Sequence, residues 1–384
     1  MADRPILFDA SRLIWRVWTG RLPTGIDRVC FAYLDHFGPR AQAVVQRGRL
    51  RLVMSPRRSQ ELFALLHKGG PGFRGALVAL LAGAAASGAW RRGLRGALYL
   101  NIGHTGLDYK GLPGWLRQLG VKPVFLVHDL IPITHPQFCR AGEADRHRDR
   151  MLHVLHAARG IIANSDATRD ALAAFASEED LALPETLVAW LGTDEHDRPA
   201  RLAPRRRPYF VMIGTIEARK NHLLMLRAWQ AMVAELGDAA PELLIVGQRG
   251  WEADHVFDLL DGDAELADHV HELGRCDDAT MMALLHGARA LLMPSFIEGF
   301  GIPVIEALQR GVPVIASDLP VFREISAQIP LFLDPADQSA WQAAVLDFCG
   351  DSSERSRQLA LMPAYVAPSW KQHFDKVEAW LSGL

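Results

Sequence analysis

The stretch A-L-L-M-P-S-F-I-E-G-F-G-I-P-V-I-E-A-L, residues 290–308, places two carboxylates, Glu298 and Glu306, around a glycine turn that opens a helix. Ala290 to Ser295 reads as a buried strand, a short unbroken apolar run before the turn. Gly299 and Gly301 let the backbone come close to a ligand, and Pro303 suits the first turn of a helix. Amides at such a turn face outward with the positive end of the helix dipole, which favours a phosphorylated ligand. Glu306 is expected in the first turn of the helix and Glu298 on the loop before it, so the two reach different parts of one ligand. Carboxylates accept paired hydrogen bonds from vicinal diols. Taken singly, Glu306 reads as a complement to the helix dipole and Glu298 as a solvated loop residue. Their combination with Gly-x-Gly, the proline and a closing Gly311 points to a polyhydroxylated, phosphorylated ligand.

The run E-G-F-G-I-P-V-I-E resembles the signature of the retaining family 4 glycosyltransferases, Glu, seven residues, Glu. The likeness extends to G-V-P-V-I-A-S-D (311–318), Glu324 and G-T-I-E-A-R-K-N-H (214–222), and more weakly to P-T-G-I-D-R-V (23–29) and V-H-D-L-I-P (127–132).

With 384 residues the chain exceeds what one core usually supports, so two domains are expected. Its composition, 49% apolar with no low-complexity run, is that of a globular protein and argues against a disordered or fibrous chain. Cys30, Cys139, Cys276 and Cys349 have no metal-type spacing and read as reduced thiols of a cytosolic protein. The M-A-D-R-P-I-L-F-D-A start has no signal-peptide apolar core, which leads us to expect a cytoplasmic protein.

The net charge of −2 hides an asymmetry: residues 1–110 hold 17 Lys and Arg against 6 Asp and Glu, the remainder 25 against 38. A basic front half suggests an anionic partner. Its arginines accompany an apolar stretch rather than interleaved aromatics, so nucleic acid is not the expected partner. That stretch, Gly75 to Trp90, carries no charge and is flanked by Arg74, Arg91, Arg92 and Arg95. It falls short of the ~20 residues that span a bilayer. Two readings stay open: a helix lying in the headgroups of an anionic inner leaflet (segment 74–95), or a buried Ala-rich helix.

Short apolar runs with helical patterns between them mark a doubly wound α/β fold. The first series is Ile6–Ser11, Ala97–Gly103, Pro123–His128, Gly160–Ser165 and Leu187–Gly192. The Pro- and Arg-rich Asp197–Pro208 reads as a linker. The second series is Tyr209–Gly214, Glu242–Gly247, Val270–Leu273, Ala290–Ser295 and Val312–Ser317. The expected domains are 1–196, joined by an amphipathic helix at 369–384, and 208–368. Ligands bind parallel sheets at the carboxyl ends of their strands. The resemblance implies the GT-B arrangement, two Rossmann-like domains facing each other across a cleft.

Cleavage of a nucleotide-sugar bond needs cations at the leaving diphosphate. Arg219 and Lys220 follow an expected strand and precede Asn221, a candidate helix N-cap, although a solvated basic pair would look the same. Thr215 stands where many relatives carry an arginine, a role that would pass to Arg219. The resemblance implies that Glu298, with the backbone of Gly299, Phe300, Gly301 and Ile302, holds donor-sugar hydroxyls. By the same likeness Glu306 takes the ribose diol, Arg219 and Lys220 the diphosphate, and Arg275 the base, with Thr215 and Gly25 also at the donor. His128, at a strand's carboxyl end, would hydrogen-bond the sugar or acceptor; a structural histidine is the alternative. The catalytic set is then His128, Arg219, Lys220 and Glu298.

No cofactor and no metal are expected. D-G-D (261–263) falls in an acidic loop that follows no buried strand, and G-Q-R-G-W (247–251) lacks the full dinucleotide spacing. The resemblance implies transfer of a hexose with retention, GDP-mannose being the first choice of donor and a UDP-hexose the second. The acceptor would be a glycan or polyprenyl-diphosphate-linked sugar in bacterial surface-polysaccharide or lipopolysaccharide assembly. The rivals are a nucleotide-sugar epimerase and a non-catalytic nucleotide-sugar-binding protein.

Overall fold

The computed structural model describes residues 5–20, 24–86, 93–193, 205–274 and 276–384. Two compact units emerge: Met1–Ile133 with Ala144–Leu191 and Trp370–Leu384, and Thr134–Glu143 with Gly192–Ser369. Most of the expected linker lies outside the described residues. Its end packs on the second unit, where Arg207 donates from Nε to the Asp238 carbonyl at 2.7 Å and Arg205 pairs with Glu242.

The sheet of the first unit contains β1 (Ile6–Asp9), β2 (Ala41–Arg47), β3 (Leu50–Val53), β4 (Leu98–Asn101), β5 (Lys122–Val127), β6 (Gly160–Ala163) and β7 (Thr186–Val188). Its spatial order is β3-β2-β1-β4-β5-β6-β7, parallel apart from the β2–β3 pair. The sequence reading missed β2 and β3. Gln42 and Gln46 interrupt the apolar run of β2, and β3 is an edge strand, L-R-L-V, whose partly exposed face hides the usual signal. The Trp370–Gly383 helix buries His373, Phe374, Val377 and Leu381 in this unit, where Tyr33 Oη lies 2.8 Å from His373 Nε2.

In the second unit β8 (Tyr209–Ile213), β9 (Glu242–Val246), β10 (Val270–Gly274), β11 (Leu291–Met293), β12 (Val314–Ser317) and β13 (Leu331–Leu333) form an all-parallel sheet ordered β10-β9-β8-β11-β12-β13. Alternate side chains feed two cores. Phe210, Met212, Leu243 and Ile245 face one layer with Trp229 and Trp341; Tyr209, Val211, Leu244 and Val246 face the other. Proline, which lacks a donor, bounds two of these strands: Pro294 follows β11 and Pro313 precedes β12.

The Phe73–Ala86 helix is neither fully buried nor fully exposed. Phe73, Leu77 and Ala84 face the core, while Gly75, Val78, Ala79, Ala82 and Ala85 form an exposed apolar stripe. Arg91 and Arg92 lie outside the described residues. Among the described residues no helix is long and apolar enough to cross a membrane.

Candidate functional site

Strand order reverses between β8 and β11, which are neighbours in the sheet although their first residues, Tyr209 and Leu291, are 82 positions apart. The loops leaving their carboxyl ends therefore meet, and they are the two stretches singled out by sequence. The Phe296 amide donates to the Arg219 carbonyl at 2.9 Å, locking the loops together. Glu298 then lies between the two cations. Lys220 Nζ donates to Glu298 Oε1 at 2.5 Å and Arg219 Nη1 to Glu298 Oε2 at 2.7 Å. Ser295 Oγ adds a bond to Oε1 at 2.7 Å.

Burial alone would raise the Glu298 carboxyl, but the Arg219 and Lys220 charges with the Lys220 and Ser295 hydrogen bonds reverse this and hold it at about 2. Glu298 is thus an anion at every working pH. Sequence reasoning missed Glu217, whose side chain is 3% exposed and accepts from Arg219 Nη2 at 2.6 Å. Burial outweighs the neighbouring Arg219 and Lys220 and raises its pKa. Its signal was the Glu of G-T-I-E-A-R-K, which reads as an ordinary surface residue.

Gly299, Phe300, Gly301 and Ile302 form the turn ahead of the Ile302–Gln309 helix. Gly301 is its N-cap at φ 111°, and a Cβ there would lie 2.7 Å from the Phe322 ring. Glu306 is a correction: it stands fifth in that helix, past the first turn, because the helix starts only at Ile302. It is 1% exposed. Asn221 is a second correction. It is the N-cap residue of the His222–Leu236 helix but adopts φ 57°, and its side chain makes no cap bond. Its amide donates to the Pro294 and Pro335 carbonyls at 3.1 and 2.8 Å, tying the β8 loop to the ends of β11 and β13.

Gly247 and Gly250, set aside as a weak dinucleotide loop, bring the β9 loop against the β8 loop. The Gly250 amide donates to the Ile216 carbonyl at 2.9 Å, and Thr215 packs where a Gly250 side chain would go. D-G-D is not a loop: Asp261 and Gly262 end a helix and Asp263 caps the next, its carboxylate accepting from Glu265 and Leu266 amides at 3.1 Å. Asp261 pairs with Arg249 at 2.6 Å. Among the described residues no group of three or more His, Cys, Asp or Glu could hold a metal ion. Arg275 lies outside the described residues.

His128 and Gly25 belong to the first unit. His128 follows β5 and is buried, and its Nε2 lies 2.7 Å from the Ile102 carbonyl. A carbonyl only accepts, so the proton sits on Nε2. Burial lowers its pKa to about 4. The His104 and His147 rings join it, with centroids 5.2 Å (His104 to His128) and 5.8 Å (His104 to His147) apart, a cluster no sequence spacing revealed. Gly25 is the exposed first residue of the Gly25–Phe37 helix. There Thr24 donates from N and Oγ1 to Asp27 Oδ2 at 2.7 Å, and Arg12 and Arg16 each approach Asp27 at 2.7 Å.

The serotype-specific mannosyltransferase WbdA of Escherichia coli is 31% identical over 230 residues, 56% of this chain and 28% of that protein. The O-antigen chain mannosyltransferase B of Escherichia coli is 30% identical over 255 residues, 64% of this chain and 66% of that protein. This chain thus spans under a third of the WbdA length. The fold is similar to that of Anabaena HepE in complex with UDP-glucose, at TM-score 0.69 and 17% identity, with each chain covered in full. Residues 193–360 match the family described as Glycosyl transferases group 1. The second unit, with its Glu298 site at the strand-order reversal, is accordingly a glycosyl transferases group 1 domain in a chain of GT-B type, built of two parallel-sheet units.

Proposed function

We propose that this chain transfers a hexose, with retention, from a nucleoside-diphosphate sugar to a hydroxyl of a growing bacterial surface glycan. The observation that carries it is the Glu298 carboxylate held between Lys220 and Arg219 where β8 and β11 end. Such a site offers cations to a diphosphate and a permanent anion to sugar hydroxyls. Similarity to two mannosyltransferases favours GDP-mannose as donor; the UDP-glucose complex of HepE makes a UDP-hexose the alternative.

The bond from the sugar C1 to the phosphate oxygen breaks while the acceptor oxygen bonds C1 on the same face, and the acceptor proton passes to the departing phosphate. Catalysis is then positioning and charge stabilisation. Arg219 and Lys220 serve the diphosphate, Glu298 and the 299–302 backbone the sugar, and Glu306 the ribose. No metal is required in this reading. The first unit presents the acceptor, with the neutral His128 as a hydrogen-bonding partner. Its exposed stripe on Phe73–Ala86 lies beside Arg58, which donates to the Leu80 carbonyl at 3.4 Å, and Arg74, which covers the Trp18 ring at 5.5 Å. With Trp15, three residues before Trp18, 56% exposed, this surface suits an anionic membrane carrying a polyprenyl-linked acceptor.

Thermal shifts against a panel of nucleotide sugars test the donor, since a ligand at a hundred times its dissociation constant adds about 2.7 kcal/mol. Donor consumption only in the presence of a glycan acceptor separates transfer from epimerisation. Binding without any donor hydrolysis would identify a sensor and refute the proposal.

A further inference from the structure

We propose that Glu217 is a positioning residue that fixes Arg219 for the donor diphosphate and trims the charge of the cation pair; this rests on the reading of the Glu298 site as the donor site. The Arg219 guanidinium is held from two sides. Nη2 meets Glu217 at 2.6 Å, while Nη1 meets Glu298 at 2.7 Å and the Ile297 carbonyl at 3.2 Å. A planar fork gripped at both ends has little rotational freedom left.

Burial of Glu217 depends on a second loop. A Cβ on Gly250 would lie 2.7 Å from the Ile216 carbonyl oxygen and 3.5 Å from Glu217 Cβ, so only glycine lets the β9 loop close over this segment. The Lys220 amide donates to the Glu217 carbonyl at 3.0 Å, so one short turn sets both cations and their counter-ion. Burying a carboxylate this deeply costs free energy that its pairing with Arg219 offsets only in part.

Arg219 and Lys220 face Glu217 and Glu298, so the four charges cancel before any ligand arrives. A diphosphate brings further negative charge and draws the cations toward itself. Were Glu217 absent, the pair would be in net excess and would grip the released nucleoside diphosphate. With Glu217 present, Arg219 keeps an anchor when Glu298 engages sugar hydroxyls, and the product leaves. At a separation of several ångströms and an effective dielectric near 20, one buried charge is worth roughly a tenfold or greater change in affinity.

The test is calorimetry with UDP and GDP alongside steady-state turnover of the full chain. Glu217→Gln keeps size and an acceptor for Arg219 but deletes the charge. It should bind the nucleoside diphosphate about tenfold more tightly while kcat falls by a similar factor. A structural residue would instead weaken both, and that outcome, or unchanged affinity in a normally melting variant, overturns the proposal. Glu217→Asp keeps the charge and shortens the reach; it should hold near-native diphosphate affinity with reduced kcat, and a native kcat would refute the positioning role even if Glu217→Gln does not fold. A native chain that binds neither UDP nor GDP would instead sink the donor-site reading itself.

Discussion

A side chain on Gly247 would place its Cβ 1.8 Å from the carbonyl oxygen of Gly214, where φ is 139°. The loops after β8 and β9 touch backbone to backbone at that point. Gly247→Ala must therefore push the Gly214–Lys220 loop away, and we expect a loss of roughly 1–3 kcal/mol or more in stability together with weaker diphosphate binding. Denaturant unfolding checks the first and calorimetry the second; native behaviour in both would show that the close approach is not maintained.

Lys220→Ala leaves Glu298 with the Arg219 charge and the Ser295 hydroxyl. Turnover should fall about a hundred- to a thousandfold, the scale of losing one preorganised charge stabiliser. A rise in KM at constant kcat would make Lys220 a binding residue only. Glu298→Gln combined with Lys220→Ala should be clearly less harmful than the two effects added, because each partner loses its counter-charge in either single variant.

His128 and His373 are lowered to about 4 and His222 to about 3, in each case chiefly by burial that penalises the imidazolium. The unfolded chain, titrating near 6.5, binds more protons than the folded one below that pH. Stability from these groups is complete above pH 6.5 and lost as pH falls toward 4, each contributing about 2 kcal/mol of loss at pH 5. Glu298 acts lower down, its contribution full above 4.5 and lost toward 2. Urea midpoints at pH 7.5 and 5 should differ sharply; equal midpoints would contradict the burial of these imidazoles.

Val78→Asp with Ala82→Asp puts charge on the exposed stripe of the Phe73–Ala86 helix without touching its buried face. Co-sedimentation with phosphatidylglycerol vesicles should drop about tenfold or more, and native binding should weaken with salt. Equal binding of native and variant chains would remove this face from any membrane role.

Strands β8, β9, β11 and β12 of the second unit were readable because both faces are buried, which leaves unbroken apolar runs such as L-L-I-V and V-I-A-S, whereas the three-residue, half-buried β13 at the sheet edge was missed. The β2–β3 hairpin was not, since polar positions at Gln42, Gln46 and Arg51 break the pattern on a strand pair at the sheet edge. For the site, Glu298, Arg219 and Lys220 stood out as chemistry near turns, and the fold brings all three together. The His104–His128–His147 cluster was invisible because its members come from three separate elements, and Glu217, although paired with Arg219 two residues on, is buried only by the β9 loop, whose closure over it the chain order does not encode. Asn221 showed the limit of local rules, its amide being drawn to the Pro294 and Pro335 carbonyls rather than to its own helix.

Phe374 is buried with its ring against Tyr33 and Phe37, residues made more than three hundred positions earlier. During synthesis, residues 192–369 can fold while the opening sheet still lacks one of its packing helices. The amino-terminal half must therefore wait, with an apolar groove uncovered, until the closing helix leaves the ribosome. Truncation after residue 369 would therefore harm the half of the protein farthest away in sequence.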